Sequence, residues 1–397
     1  MAGKKFTVAI VSDLHAYAKL PSNQQRPSHL SIVTGEQQPE NHPISGLLQL
    51  ITSEKITASA LLCPGDLAHQ ACPESIRYSW ETLHKIRDAL KAKALIGTAG
   101  NHDLDSRYLY KNPDPQQTLK NLTPQFPFNE SALANQYWAR DYAIVELPPA
   151  AIVILNSSAH HGKAEQEENH GRITKDALSD LRRNIPSLAR FAIKILLCHH
   201  HPHQHSELNL GAMDVMENGQ QLLDMLAADP SGTWLVIHGH KHHPKISYAA
   251  GGNNSPIVFA SASLSSDLFL ELQTAARNQF HLLTFDTDVI ERLGLVGRVR
   301  SWYWQYGSGW APAKRGTGLP NECGFGFRGR ATVLGDEIQR LVGKDLRLWK
   351  TVTAAAESLD YLLPQDFDYM RGYLSRRHRI KIVEDDTGVP LEVSEVA

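Results

Sequence analysis

Five short groups of metal-ligand side chains follow one another along this 397-residue chain: Asp13-Leu14-His15, Gly65-Asp66, Gly100-Asn101-His102-Asp103, the run His199-His200-His201-Pro202, and Gly239-His240-Lys241-His242. Carboxylate oxygen, amide oxygen and imidazole nitrogen together suit borderline divalent cations, and the chain carries 20 histidines. Two such cations about 3.5–4 Å apart repel each other, so a binuclear hydrolytic centre needs a bridging carboxylate, further anionic charge and neutral donors. The five groups supply that inventory. In Asp13-Leu14-His15 and His240-Lys241-His242, period-two spacing sends both side chains the same way from an extended segment, so one ion can take both, or two adjacent ions one each.

The elements that must position these groups are legible in the hydrophobic pattern. Each group follows a short apolar, β-rich run: Phe6 to Val11, Ala58 to Cys63, Ala94 to Thr98, Ala192 to Cys198 and Thr233 to Ile237. The polar side chains therefore sit at the carboxyl ends of expected strands, the edge where open α/β sheets bind ligands. Apolar residues recur at helical spacing over Ser45 to Ile56, Ser75 to Lys91, Thr174 to Arg183 and Asn218 to Ala228, and the alternation of strand and helix marks an α/β core. Leu104 to Arg140 reads as an insertion, Tyr142 to Leu147 and Ala151 to Leu155 as a hairpin, and Gly162 to Gly171 as an exposed loop. Lys245 to Tyr248, Ile257 to Ser261 and Phe280 to Phe285 alternate like antiparallel strands closing a sheet.

The ordered set D-x-H, G-D, G-N-H-D, a His run before Pro and G-H-x-H resembles the five motifs of the calcineurin-like metallophosphoesterases, over residues 5 to 285. That resemblance implies a four-layer αββα sandwich of two mixed β-sheets, with a catalytic domain over 1–288 and a C-terminal extension over 289–397. It implies one metal held by Asp13, His15, Asp66 and His242, and a second by Asp66, Asn101, His200 and His240. Asp66 would be the bridge, and a hydroxide between the ions the nucleophile, since metal binding lowers the pKa of water to about 7. His102 matches the family's residue on the leaving-group side and is the expected general acid, with Asp103 orienting it. The family's ligand two residues before the proline selects His200, with His199 and His201 as its alternatives. Position 69 departs from the family pattern G-D-x-x-D, carrying His69 where relatives place an acid that supports the loop. Asn156-Ser157-Ser158 and Gly171-Arg172-Ile173 are similar to segments of small-molecule phosphodiesterases acting on cyclic nucleotides and glycerophosphodiesters. The resulting expectation is a phosphodiesterase using two divalent ions, manganese, iron, zinc or nickel, with manganese favoured.

Composition sets the bounds. Hydrophobic content of 42%, charged content of 21% and a net charge of -2 exclude disorder and a global pull toward nucleic acid or anionic membrane. No run approaches the ~18 apolar residues of a membrane span. Four cysteines without a C-x-x-C pair, and no signal-peptide core, point to reduced thiols and a cytoplasmic setting. Arg298 to Lys350 carries ten Lys and Arg against four acids, interleaved with aromatics such as Trp302, Trp304 and Trp310. Two readings follow: a packed appendage with solvated charges, or a nucleic-acid surface that would make the protein a nuclease. A non-catalytic scaffold keeping this fold is the alternative of another class. Among the isolated histidines, His203 and His205 are the better candidates for touching substrate.

Overall fold

The apolar runs ahead of the ligand groups are strands. In the computed structural model, which describes residues 5–19, 25–34, 38–110, 113–162, 170–204, 215–343 and 345–395, β1 (Lys5–Ile10), β2 (Ala60–Cys63) and β3 (Ala94–Gly97) lie parallel to one another. β4 (Tyr142–Leu147) and β5 (Ala150–Leu155) form the expected hairpin; β6 (Ile193–Leu197), β7 (Leu235–His238) and β9 (Ile257–Ala260) continue parallel from β5, and β8 (Lys245–Tyr248) runs antiparallel along β9. These six make one mixed sheet in the order β4-β5-β6-β7-β9-β8. β10 (Asn278–Asp286) returns antiparallel beside β1 and brings the chain back to the first sheet.

Residue alternation assigns the faces. Ile152 and Ile154, Ile195 and Leu197, and Leu235 and Ile237 join one core cluster with Val8, Ile10, Leu62 and Ile96 of the first sheet. Their neighbours Ala151, Val153 and Leu155, Leu196, and Val236 join a second cluster with Leu178 and Leu181 of the helix Lys175–Asn184 and with Leu222 and Leu226 of the helix Gly219–Ala227. A sheet covered on both faces needs apolar residues at every position, which is why these strands read as continuous hydrophobic runs. Each buried Leu or Ile contributes about 1.5–3 kcal/mol relative to exposure, so the facing rows set the register of the two sheets. Helices Pro43–Ser53 and Pro73–Ala89 pack against the first cluster; proline opens each, and the His42 side chain accepts the Ser45 N–H at the first.

The first sheet extends past residue 288. β11 (Gly297–Gln305) pairs antiparallel with β10 along its length, and β12 (Gly309–Pro312) and β13 (Glu322–Phe325) both pair with β11, giving seven strands. The boundary expected between 288 and 289 thus falls in the helix Thr287–Leu293, which joins two paired strands of one sheet. Charge on Arg298 and Arg300, outside an alternation whose other side buries Val299 and Ser301, masked the strand in the composition. A separate hydrophobic cluster begins with the helix Ala331–Val342 and is closed by a small sheet of β14 (Arg347–Leu348), β15 (Ile380–Glu384) and β16 (Pro390–Glu395). In the basic aromatic stretch Trp302, Trp304 and Phe325 are buried. Several of its arginines are paired with acids: Arg298 with Asp360, Arg300 with Glu54, and Arg315 with Asp368 and Glu384. No helix among the described residues is long and apolar enough to cross a membrane.

His281 on β10 is fully buried: its Nδ1 lies 2.9 Å from the Ser301 hydroxyl and its Nε2 accepts the Ala262 N–H at 3.4 Å. Burial drops its pKa to about 3. Unfolding exposes an imidazole that titrates near 6.5, so the unfolded chain binds the extra proton and stability falls as pH drops from about 6.5 toward 3. Between pH 7.5 and 5 this one group is expected to cost roughly 2 kcal/mol. Urea titrations at the two pH values should show the loss shrinking by about that amount in His281→Gln. Equal losses in both proteins would rule out this origin.

Candidate metal centre

The ligand groups converge where the two sheets meet at their carboxyl edges, and the backbone there is unusual. Asp13, His15, Asp66, His240 and His242 all have φ between +46° and +81°, the left-handed region that side chains other than glycine avoid. Such conformations cost of order 1–3 kcal/mol each and persist where the surroundings overdetermine them. The extended geometry expected for Asp13-Leu14-His15 and His240-Lys241-His242 is therefore replaced by left-handed turns, which still bring both side chains of each pair to one place. Close approach demands glycine at Gly100, where a Cβ would stand 2.1 Å from Asp66 Oδ1, and at Gly239, where it would stand 2.5 Å from Asp13 Oδ2.

Buried serines hold the strained segment. Ser263 donates to the Asp13 carbonyl at 2.6 Å, Ser265 to the Leu14 carbonyl at 2.6 Å, and Ser28 to the His15 carbonyl at 2.9 Å. The Asp13 carboxylate accepts the His240 N–H at 3.0 Å and the Ser12 hydroxyl. Sequence reasoning passed over these serines, although Ser261 to Ser266 is a serine-rich run directly after a strand and could have signalled them.

On one side, His242 Nε2 is 3.4 Å from Asp13 Oδ1 and 3.0 Å from His15 Nε2, and His15 Nε2 is 3.4 Å from Asp66 Oδ2. On the other, His199 Nε2 is 3.0 Å from Asn101 Oδ1 and 3.4 Å from the same Asp66 Oδ2, and His240 Nδ1 is 3.1 Å from Asn101 Oδ1. One carboxylate oxygen thus faces an imidazole nitrogen of each half at equal distance. Burial pushes the Asp66 carboxyl up, but His199, His102 and His15 together hold it well below the usual carboxylate range. Burial would lower His199 too, yet the Asp66 and Asp13 charges raise it to about 9, the mark of a place that favours positive charge. Buried nitrogens His200 Nε2 and His240 Nε2 have no hydrogen-bond partner, and groups of three His and Asp donors lie within 4.8 Å of one another. This donor set fits a binuclear divalent metal site.

The histidine run is placed residue by residue. His199 donates its Nδ1–H to the Pro64 carbonyl at 2.8 Å, which leaves Nε2 free to coordinate. His200 is turned to Ser157: its Nδ1 is 2.9 Å from the hydroxyl, which also accepts the His199 and His200 N–H groups. A Cβ at Gly171 would stand 2.2 Å from the His200 ring, so Ser157 and Gly171 together seat that residue. His201 packs against His238, ring centroids 4.2 Å apart. His205 lies outside the described residues. Cys63 and Cys198 are buried, their thiols pushed up by burial, as expected of core residues.

Asp103 was expected to orient His102. Its carboxylate instead accepts four backbone N–H groups, from Asp66 at 2.9 Å, Leu67 at 2.7 Å, Ala68 at 3.3 Å and Gly100 at 2.8 Å, and so holds the loop that carries Asp66. Burial and the neighbouring Asp66 charge push it up to about 7. His102 is fixed by other contacts: its N–H donates to Asp66 Oδ1 at 2.9 Å, and its Nδ1 accepts the Gln70 N–H at 3.4 Å, which places the neutral ring's proton on Nε2. The His69 ring stacks on it, centroids 5.3 Å apart.

A family model described as calcineurin-like phosphoesterase matches residues 6–252. No match was found among curated proteins. Among solved structures the chain resembles a purple acid phosphatase from yellow lupin (Lupinus luteus) seeds, at 12% identity and TM-score 0.49, covering 77% of this chain and 53% of that one. It also resembles a putative 5'-nucleotidase from Staphylococcus aureus, at 15% identity and TM-score 0.38, covering 71% and 51%. The chain spans about half the length of each.

Proposed function

Because this chain belongs to the calcineurin-like phosphoesterase family, a family of metal-dependent phosphoric ester hydrolases, we propose that it hydrolyses a phosphodiester at the centre built around Asp66. The observation that carries this reading is the single Asp66 oxygen 3.4 Å from both His15 Nε2 and His199 Nε2, the geometry of a bridging carboxylate. Asp13, His15, Asp66 and His242 would hold one divalent cation, and Asp66, Asn101, His199 and His240 the other. We put His199 where His200 was expected because its Nε2 lies 3.4 Å from Asp66 Oδ2 and 3.0 Å from Asn101 Oδ1. His200, whose Nδ1 is held by Ser157, keeps a buried, unpartnered Nε2 in the same donor group and is the alternative ligand. The bound cations would supply the activated water and neutralise charge on the phosphate. Mixed nitrogen and oxygen donors leave manganese, iron, zinc and nickel all compatible, with manganese the first ion to test.

The chain's own groups do the rest. His102 in its imidazolium form would give its Nε2 proton to the leaving alkoxide and return to the neutral ring, and the N–H bonds from Asp66, Leu67 and Ala68 to Asp103 would keep the Asp66 loop from moving as charge develops. Strongly basic leaving groups need that proton most. The diester preference rests on the Ser157 and Gly171 pattern around His200, which is similar to segments of small-molecule phosphodiesterases. Loading with Mn²⁺ should give a kcat/KM for bis-p-nitrophenyl phosphate about tenfold or more above that for p-nitrophenyl phosphate. A preference for the monoester would overturn the diester reading, and no hydrolysis of either, with metal bound, the whole proposal.

Replacing His102 by Asn separates the acid role from a structural one. An alkyl phosphodiester should lose about 10²–10⁴ in kcat, while an activated aryl diester, whose phenolate leaves without help, should lose about tenfold or less. Comparable losses on both esters would remove His102 as the acid.

A further inference from the structure

Beside His102 the chain builds a segment that its own folding does not explain. Asp105 is 5% exposed, and its carboxylate accepts the backbone N–H of Leu109 at 2.7 Å and of Tyr110 at 2.9 Å. Its own N–H donates to the Pro115 carbonyl at 3.2 Å, and its carbonyl accepts the Tyr108 N–H at 3.1 Å. The Tyr108 hydroxyl donates to the Gly162 carbonyl, and Tyr108 sits at φ +52°. This is a pinned, strained loop. Yet it displays three consecutive large side chains to solvent, Tyr108 at 55%, Leu109 at 53% and Tyr110 at 44% exposure. A loop fixed by a buried carboxylate gains nothing in core packing from such a display, and contiguous exposed apolar surface beside a site marks a binding wall.

Its position is set by the chain. The loop begins directly after Asn101-His102-Asp103, and Tyr110 lies against the Cys72 thiol, in the turn that follows His69. That turn is tied to the general-acid candidate, because Ala71 donates its N–H to the His102 carbonyl at 2.7 Å and Cys72 donates to the His69 carbonyl at 3.4 Å. The His69 and His102 rings are stacked, with 27° between planes. Arg107, between Asp105 and Tyr108, lies within electrostatic range of both imidazoles. Flat imidazoles, two tyrosine rings and a guanidinium all offer faces for stacking, and tyrosine tolerates water while the site is empty.

We infer that His69, Arg107 and the Tyr108–Tyr110 segment form a preformed subsite for an aromatic leaving group, as a nucleoside or an aryl alcohol would supply. The placement of His69 where relatives carry an acid is part of this subsite. The inference rests on the phosphodiesterase reading for its catalytic consequence, and on the loop geometry alone for binding.

The catalytic test compares a dinucleoside monophosphate, the benzyl ester of the same mononucleotide and its methyl ester, whose leaving alcohols are all strongly basic. Stacking of one ring is worth roughly five- to a hundredfold, so kcat/KM should favour the two aromatic esters over the methyl ester by about tenfold or more. Equal preference for nucleoside and benzyl assigns the subsite to any aromatic ring, and preference for the nucleoside alone assigns it to a base. The double variant Tyr108→Ala/Tyr110→Ala should bring the ratio toward one. Leu109→Ser, which keeps both rings and the Tyr108 anchor, should lower it less and guards against misfolding of the double variant. A methyl ester as good as the others in the parent protein, or a ratio untouched by the double variant, overturns the inference. The second arm is binding of adenosine and of benzyl alcohol to the metal-free protein by saturation-transfer NMR, expected in the parent and lost in the double variant. If no ester is hydrolysed with metal bound but this binding is seen and lost as expected, the phosphodiesterase reading fails and the subsite stands; no binding of either probe sinks the subsite.

Discussion

Replacing Asp66 by Asn is expected to lower kcat by roughly a thousandfold or more and to take bound divalent metal from about two equivalents per chain to one or fewer. Two unit charges 4 Å apart at an effective dielectric of 20 interact by about 4 kcal/mol, so two divalent ions repel by on the order of 16 kcal/mol. Only anionic charge between them can offset that. Asp66 Oδ2 stands between the two imidazole sets at 3.4 Å from each, while Oδ1 is occupied by the His102 N–H at 2.9 Å. An asparagine that keeps its oxygen on that N–H turns its NH2 toward the cations. The charge is lost, a donor faces the metals, and the loop retains its three bonds to Asp103. Metal analysis after gel filtration, with turnover of bis-p-nitrophenyl phosphate, measures both effects. A variant that keeps both ions and loses less than about tenfold in kcat would remove Asp66 as the bridge.

The second large effect distinguishes neighbours in one histidine run. His199→Ala should cost about a hundredfold or more in kcat and one metal equivalent, whereas His200→Ala should cost about tenfold or less and keep both ions. The first removes an Nε2 that faces Asn101 and Asp66, with its Nδ1–H anchored on Pro64. The second removes a ring held against Ser157 and the Gly171 backbone, which affects the site through packing. Titrating Mn²⁺ into each variant and counting equivalents decides between them. The reverse order of losses would return the ligand role to His200, the residue that the family resemblance implied.

That contrast shows where a one-dimensional reading reaches its limit. The strand Ile193–Leu197 was visible because alternate residues must face two different cores, and the metal chemistry was visible because few donor types suit a pair of divalent ions. Which imidazole leaves the end of β6 toward the bridge depends on backbone twist over one residue, which no spacing rule encodes. The contacts of Asp103 were hidden for a similar reason: a carboxylate next to His102 in sequence is directed by the short helical turn Asn101–Asp103 onto the N–H groups of another loop.

Long-range pairing was the other hidden quantity. Gly297–Gln305 carries charged and aromatic residues that read as a surface, and only its register with Asn278–Asp286 makes it a strand of the first sheet. By itself the sequence determined the family, the inventory and order of the metal-ligand residues and their places at strand ends, because donor identity and hydrophobic period are local properties. Tertiary structure alone decided that Asp66 Oδ2 faces both halves, that His199 rather than His200 lies nearest it, and that an anchored loop displays Tyr108 to Tyr110 to solvent. Those depend on the directions of side chains brought together from five distant segments, and direction at a shared point is a property of the folded backbone.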